Sequence, residues 1–131
     1  MTDNDLPTPE EILAAHDRIE ETYDLKYKGI MKSAPKIKLR RIVREAREHD
    51  DVYHRAATLL WKIESVHIFE DANKRTAWAV TEDYLQRNGI DLPDDNELIE
   101  RVVRRLGLFD VDEIAEWFET GEIDESRLPE H

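Results

Sequence analysis

Hydrophobic residues along most of this chain recur every three or four positions, which is the spacing of one face of an α-helix. Six segments carry such a stripe, rather than the alternation of apolar and polar residues that is typical of a half-buried strand. A chain of 131 residues is also near the usual size of one domain. The sequence therefore predicts an all-α protein, a compact bundle of about six helices around a single core.

Local signals set the expected boundaries of these helices. Thr8 and Glu11 fit a capping box around Pro9, so the first helix should cover about residues 9–24. The later helices are expected to begin near Pro35, Asp50 or Asp51, Lys74, Pro93 and Asp110. Glycines should end the last three of them, at Gly89, Gly107 and Gly121.

The same patterns predict which segments lie outside the bundle. We expect a flexible N-terminus over residues 1–7, one domain over 8–121 and an acidic frayed tail over 122–131. The stretch Leu25–Lys32 contains a glycine and has no clear period, which favours a loop or short flap between the first two helices. His16 lies on an apolar stripe and is interpreted as a packed histidine. In the second helix, the residues expected to face the core are Ile37, Ile42, Val43 and Ala46.

Composition excludes several classes of protein. The chain has no cysteine, which rules out disulfide bonds, a thiolate nucleophile, a zinc ribbon and an iron–sulfur cluster. With 31 acidic against 19 basic residues, it is also unlike a protein that binds nucleic acid by neutralising phosphates. No apolar run approaches the roughly 20 residues that span a bilayer, and the start MTDNDLPTPE is acidic. We therefore expect a cytoplasmic protein that binds neither nucleic acid nor membrane directly.

Positive charge is concentrated in one segment, Lys26–Arg47, which we call the basic island. It has nine Lys or Arg residues and only Glu45 against them, a local charge of +8, so the remaining chain carries −20. One interpretation is a solvated helix face, and the other is a docking surface for a polyanion or an acidic partner.

The densest group of chemically versatile residues is the segment His67–Arg75, here called the motif loop. It joins two predicted helices and contains an imidazole, two carboxylates, an amide and two cations. Lys74 and Arg75 lie at the start of a helix, where cations are unfavourable unless an anion offsets them. Because helix N-termini bind anions, this position predicts a phosphate site.

The other residues of the motif loop suit chemistry on such a phosphate. Asp71 offers the hard oxygen ligand that Mg²⁺ requires if the anion is a nucleotide phosphate. An imidazole titrates near neutral pH, so His67 can accept a proton from a hydroxyl group. Phe69 is expected to anchor the loop in the core. The alternatives are phosphoryl or nucleotidyl transfer and a loop whose charges merely face water.

The motif loop resembles the hallmark of the Fic/Doc family, H-x-F-x-(D/E)-(A/G)-N-(G/K)-R. The matching residues are His67, Phe69, Asp71, Ala72, Asn73, Lys74 and Arg75. The resemblance extends over most of residues 8–120 and implies a Fic fold. Relatives that transfer AMP typically have proline, glycine and arginine where this chain has Ile68, Lys74 and Trp78. These departures resemble the Doc, or death-on-curing, branch of toxin–antitoxin modules.

That branch implies a toxin kinase that uses ATP and Mg²⁺ to phosphorylate a hydroxyl of a translation elongation factor of the Tu type. By resemblance, His67 would be the general base, Asp71 the Mg²⁺ ligand, and Asn73, Lys74 and Arg75 the phosphate-binding residues. Phe69 would be the structural anchor of the motif. The alternatives are an AMP transferase and a catalytically silent module that binds nucleotide or antitoxin.

Relatives of the family often carry a self-inhibitory S/T-x-x-x-E-G/N helix, and no such string occurs in this sequence. A separate inhibitor is therefore expected, a cognate antitoxin whose acidic or disordered segment binds the basic island.

Overall fold

The structure, a computed structural model, describes residues 6–23, 34–68, 72–92 and 95–129. Over these residues the chain forms six α-helices and no strand, which confirms the predicted all-α bundle. None of the helices in this part of the chain has the length and apolar character needed to cross a membrane. The helices are α1 (Pro9–Tyr23), α2 (Pro35–Arg47), α3 (Val52–Val66), α4 (Asn73–Arg87), α5 (Asn96–Arg104) and α6 (Val111–Thr120).

Side-chain caps start α1 and α3 where the sequence places them. At α1 the Thr8 amide donates to Glu11 Oε1 and the Glu11 amide donates to Thr8 Oγ1, both at 3.1 Å, which confirms the capping box. Asp51 accepts from the His54 amide at 2.8 Å, so it is Asp51, not Asp50, that caps α3. Glu11 also accepts a hydrogen bond at 2.9 Å from Arg87, the last residue of α4. This hydrogen bond is the main reason that the pKa of Glu11 lies below its usual value.

The helices end less uniformly than predicted. Gly89 and Gly121 have φ of 75° and 80°, the left-handed conformation expected after α4 and α6. Gly107 has no positive φ, and α5 ends at Arg104, so the prediction that Gly107 closes this helix is wrong. The chain tightens there into a 3₁₀-helix, which buries both Leu106 and Phe109.

The core is built around α3, which packs against α2, α4 and α6, while α1 packs on α2 and α4. Leu59, Leu60 and Ile63 of α3 have no exposed surface. This helix has apolar residues on more than one face because it contacts neighbours on several sides. Its position matters for the site, because α3 ends at the start of the motif loop.

Two expectations about buried residues differ in outcome. Ile37 is 55% exposed, so its predicted inward position is wrong. Leu39 is fully buried instead, because the stripe Leu39, Ile42, Val43 and Ala46 has the spacing of a single helix face. His16 is buried as predicted, with Nδ1 3.1 Å from Glu20 Oε1. These two side chains and Asp17 lie close enough to share a metal ion, but the buried imidazole is already paired within its own helix.

The described ends of the chain are part of the core. Leu6 is buried, although the sequence suggested a flexible segment up to residue 7. Leu128 is buried as well, and Arg127 donates to the Leu108 carbonyl at 3.2 Å and pairs with Glu113 at 2.5 Å. One leucine and one arginine thus attach this aperiodic segment to the bundle, and the boundaries of the acidic tail stay a prediction. The expected flap at Leu25–Lys32 lies outside the described residues.

Candidate active site

The motif loop joins the end of α3 to the start of α4 through two unusual backbone conformations. His67, the residue that ends α3, has φ 53° and ψ 56°, and Ala72, which precedes α4, has φ 63° and ψ 24°. Residues with a Cβ rarely adopt this left-handed conformation, which costs roughly 1–2 kcal/mol each. Of the described non-glycine residues, only Ala34 shares it. Backbone strain is therefore concentrated within this loop, at its first residue and immediately before α4.

Four of the six predicted site residues line one groove of about 950 Å³: His67, Asn73, Lys74 and Arg75. The structure therefore brings together the predicted base and the three predicted phosphate-binding residues. The other two, Phe69 and Asp71, lie outside the described residues, so their roles as loop anchor and Mg²⁺ ligand stay predictions.

The four side chains differ in how they meet the groove. The His67 side chain is 53% exposed and that of Lys74 is 44% exposed, so both are accessible to a ligand. Arg75 is exposed as well, whereas Asn73 is only 8% exposed and borders the groove from the protein interior. The cations and the imidazole can thus contact a substrate, while little of Asn73 is exposed to the groove.

The start of α4 is suited to an anion. Its N-cap residue is Ala72, which has no side chain able to cap the helix, and the first turn contains no acidic residue. Lys74 and Arg75 add two positive charges to the positive end of the helix dipole. A phosphate group at this position would offset charges that otherwise destabilise the helix start.

Glu64 also belongs to the site, although it lies outside the segment that the sequence predicts to carry the chemistry. Its Oε1 atom lies 2.9 Å from Lys74 Nζ and 3.8 Å from His67 Nε2, and its side chain is 13% exposed. Its charge in the last turn of α3, just before the motif loop, was the signal in the sequence, because an anion is unfavourable at that end of a helix.

The opposite wall of the groove comes from α4 and α5. Trp78, Ile99 and Val103 supply apolar surface, and Asn96, Glu100 and Arg104 supply polar groups. Trp78 packs on Trp117 and Phe118 with ring centroids 6.3 Å away in each case, which fixes its indole beside the groove. The α5 residues were not predicted as part of the site, because only the packing of α5 on α4 brings them there.

Comparison with known proteins identifies the family. No curated protein matches the chain. The sequence model of the Fic/DOC family matches residues 2–85, which is more than half of the chain and includes α1 to α3, the motif loop and most of α4. Helices α5 and α6 lie beyond the matched segment. The chain therefore belongs to the Fic/DOC family.

Proposed function

We propose that this protein is a Doc-like toxin of a toxin–antitoxin module. It would transfer the γ-phosphoryl group of ATP to a hydroxyl of a translation elongation factor of the Tu type and so block translation. Family membership supports the coarser part, since Fic/DOC proteins are often transferases that use ATP with a divalent cation. The observation that carries the finer part is Lys74, a lysine in the groove where AMP-transferring relatives have glycine.

The described side chains can be assigned to the steps of this reaction. The hydroxyl oxygen attacks the γ-phosphorus, its proton passes to the imidazole of His67, and the bond to the leaving ADP breaks. Lys74, Arg75 and the positive end of α4 stabilise the charge on the transferred phosphoryl group. Mg²⁺ would neutralise further phosphate charge when bound, and its predicted ligand Asp71 lies outside the described residues.

The identity of residue 74 bears on which phosphorus is attacked. For AMP transfer, the α-phosphate must face His67 while the β- and γ-phosphates extend further along the start of α4. Glycine leaves room for them, but Lys74 places a long side chain there, with Nζ 2.9 Å from Glu64. This arrangement favours a nucleotide whose terminal phosphate faces the base.

ATP labelled at either the α or the γ position tests this proposal with a purified elongation factor of the Tu type as substrate. We expect label in the factor from γ-labelled ATP only. The Lys74→Gly variant should lose about 10- to 100-fold in phosphorylation, because a cationic contact to phosphate is lost, and should gain no AMP transfer while Trp78 remains.

Label from α-labelled ATP would instead establish the AMP-transferase alternative. ATP binding without transfer of either label would establish the catalytically silent module, provided that a proteome-wide search for labelled protein is also negative.

We also propose that a cognate antitoxin restrains the protein by docking an acidic segment on α2. Five cations of the basic island are exposed on this helix: Lys36, Arg40, Arg41, Arg44 and Arg47. None of them forms an ion pair with another described residue. The exposed Ile37 lies on the same helix face as Arg40, Arg41 and Arg44, which follow it by three, four and seven positions. An acidic segment with one apolar residue would complement this surface in charge and in shape.

Charge reversal tests the docking surface. Arg40→Glu together with Arg44→Glu should weaken antitoxin binding by about 10- to 100-fold at low salt, with a smaller loss at high salt. Arg18→Glu together with Arg105→Glu is the matched control, because it changes the charge equally at exposed residues on α1 and after α5. Titration calorimetry at two salt concentrations gives both values. Equal affinities for the two double variants would exclude α2 as the docking surface.

A further inference from the structure

We infer that Glu64 is a positioning residue of the groove, which fixes the Lys74 ammonium beside His67 for the transfer step. This inference rests on the proposed function for its effect on rate, but not for its structural basis. The carboxylate oxygen Oε1 lies 2.9 Å from Lys74 Nζ and 3.8 Å from His67 Nε2, so a single atom is within ion-pair distance of both groups.

The placement of the two charges along the chain supports a specific role. Glu64 lies in the last turn of α3, where the helix dipole disfavours an anion. Lys74 lies in the first turn of α4, where the helix dipole disfavours a cation. Each residue alone opposes its helix, and the pair offsets both effects across the junction. Local conflicts of this kind are typical of functional sites.

Burial makes the contact more than a surface ion pair. The Glu64 side chain is 13% exposed, whereas Lys74 is 44% exposed and borders the groove. A carboxylate with so little contact with water requires an opposite charge to stabilise it. The lysine that supplies this charge has four rotatable side-chain bonds, and the ion pair restricts their rotation. The ammonium is thereby fixed at the groove before any phosphate arrives, which is the condition for efficient charge stabilisation in transfer reactions.

The same carboxylate would act on His67 during the reaction. When the imidazole accepts the hydroxyl proton it becomes positively charged, and Glu64 lies 3.8 Å from Nε2 to stabilise that charge. A base that is oriented by a third group is a recurring arrangement in enzymes. Glu64 itself would touch neither substrate nor phosphate.

The variant Glu64→Gln removes the negative charge that pairs with Lys74 and keeps the size of the side chain. It therefore breaks the ion pair without leaving a cavity. We expect the transfer rate to fall about 10- to 100-fold, as for losses of supporting contacts elsewhere. ATP affinity should stay within about threefold of wild type or increase, because the loss of a nearby anion strengthens attraction to phosphate and offsets the loss of order in Lys74. Single-turnover transfer and titration calorimetry with Mg²⁺-ATP measure the two quantities.

Two further variants complete the test. Glu45→Gln is the control, because Glu45 also pairs with a lysine, Lys62 at 3.6 Å, and that pair has no part in the groove. In a Lys74→Met background, Glu64→Gln should cost less than in the wild type, since the two residues act as a pair. A wild-type transfer rate in Glu64→Gln, or a loss fully explained by weaker ATP binding, would overturn the inference.

A measurement without transfer distinguishes this inference from the proposed function. Carbon relaxation at the Lys74 ε-methylene reports the mobility of that side chain in the free protein. We expect mobility to rise in Glu64→Gln and not in Glu45→Gln, whether the protein transfers phosphoryl, AMP or neither. Equal mobility in the wild type and Glu64→Gln would overturn the positioning role even if the protein proves to be a kinase.

Discussion

Replacing His67 with alanine should reduce the transfer rate by about 10²–10⁴-fold, the usual contribution of a general base. ATP affinity should change little, because the charges that attract phosphate are those of Lys74, Arg75 and the start of α4. The fold should persist as well, since the His67 side chain is 53% exposed and its removal leaves no cavity in the core. Labelled transfer, calorimetry and thermal melting measure the three properties.

His67→Asn is the matched variant for this experiment. Position 67 has φ 53°, and asparagine tolerates the left-handed conformation better than alanine does, so backbone strain stays close to that of the wild type. Asparagine cannot accept the hydroxyl proton as a base. Equal, large losses of transfer in both variants would assign the effect to the imidazole. If either variant transfers at the wild-type rate, the base is another group and the mechanism proposed here is wrong.

The helices were predictable because each carries an apolar stripe, and several also carry their own caps. Asp51 and Asp110 start α3 and α6 with the side-chain hydrogen bonds that their residue types favour. The errors arose where tertiary packing outweighed local signals. Gly107 was expected to close α5, but burial of Leu106 and Phe109 tightens the chain earlier. In the tail, Leu128 packs in the core without any periodic neighbours that could have marked it.

The site was predictable to the extent that it is continuous in sequence. His67, Asn73, Lys74 and Arg75 were selected from one nine-residue segment, and the structure places all four on one groove. The α5 wall could not be predicted, because residues 96–104 meet the motif loop only through helix packing. Nor does any local pattern show that two non-glycine residues of the loop, His67 and Ala72, adopt positive φ.

The corner between α2 and α3 depends on a buried arginine whose removal should have a large effect on stability. Arg55 is 7% exposed, and its Nε donates to the His49 carbonyl at 2.7 Å while Nη2 donates to the Arg47 carbonyl at 3.3 Å. The Arg47 carbonyl is at the end of α2, where carbonyls lack partners within the helix and carry partial negative charge, and the His49 carbonyl lies two residues further on. The guanidinium supplies a donor to each of them and a positive charge to the helix end. Arg55 thus connects the second turn of α3 to the end of α2.

Arg55→Ala should lower the free energy of unfolding by about 2–4 kcal/mol, because it leaves two part-buried carbonyls without a charged donor and removes the packing of the buried side-chain stem. Arg55→Lys should recover only part of this loss, since an ammonium lacks the planar fork that reaches two acceptors. Arg44→Ala is the control, an exposed residue of the same type on α2 that should change stability by no more than about 0.5 kcal/mol.

Urea unfolding, followed by circular dichroism, measures the three variants against the wild type. The expected order of stability is Arg44→Ala, then Arg55→Lys, then Arg55→Ala, with unchanged dependence on urea concentration if unfolding stays two-state. An Arg55→Ala variant as stable as Arg44→Ala would mean that the apolar contacts of Ile42, Val43 and Ala46 hold α2 on α3 without the arginine. Because α2 carries the proposed docking surface, a destabilised corner should also weaken antitoxin binding without any change in the exposed cations.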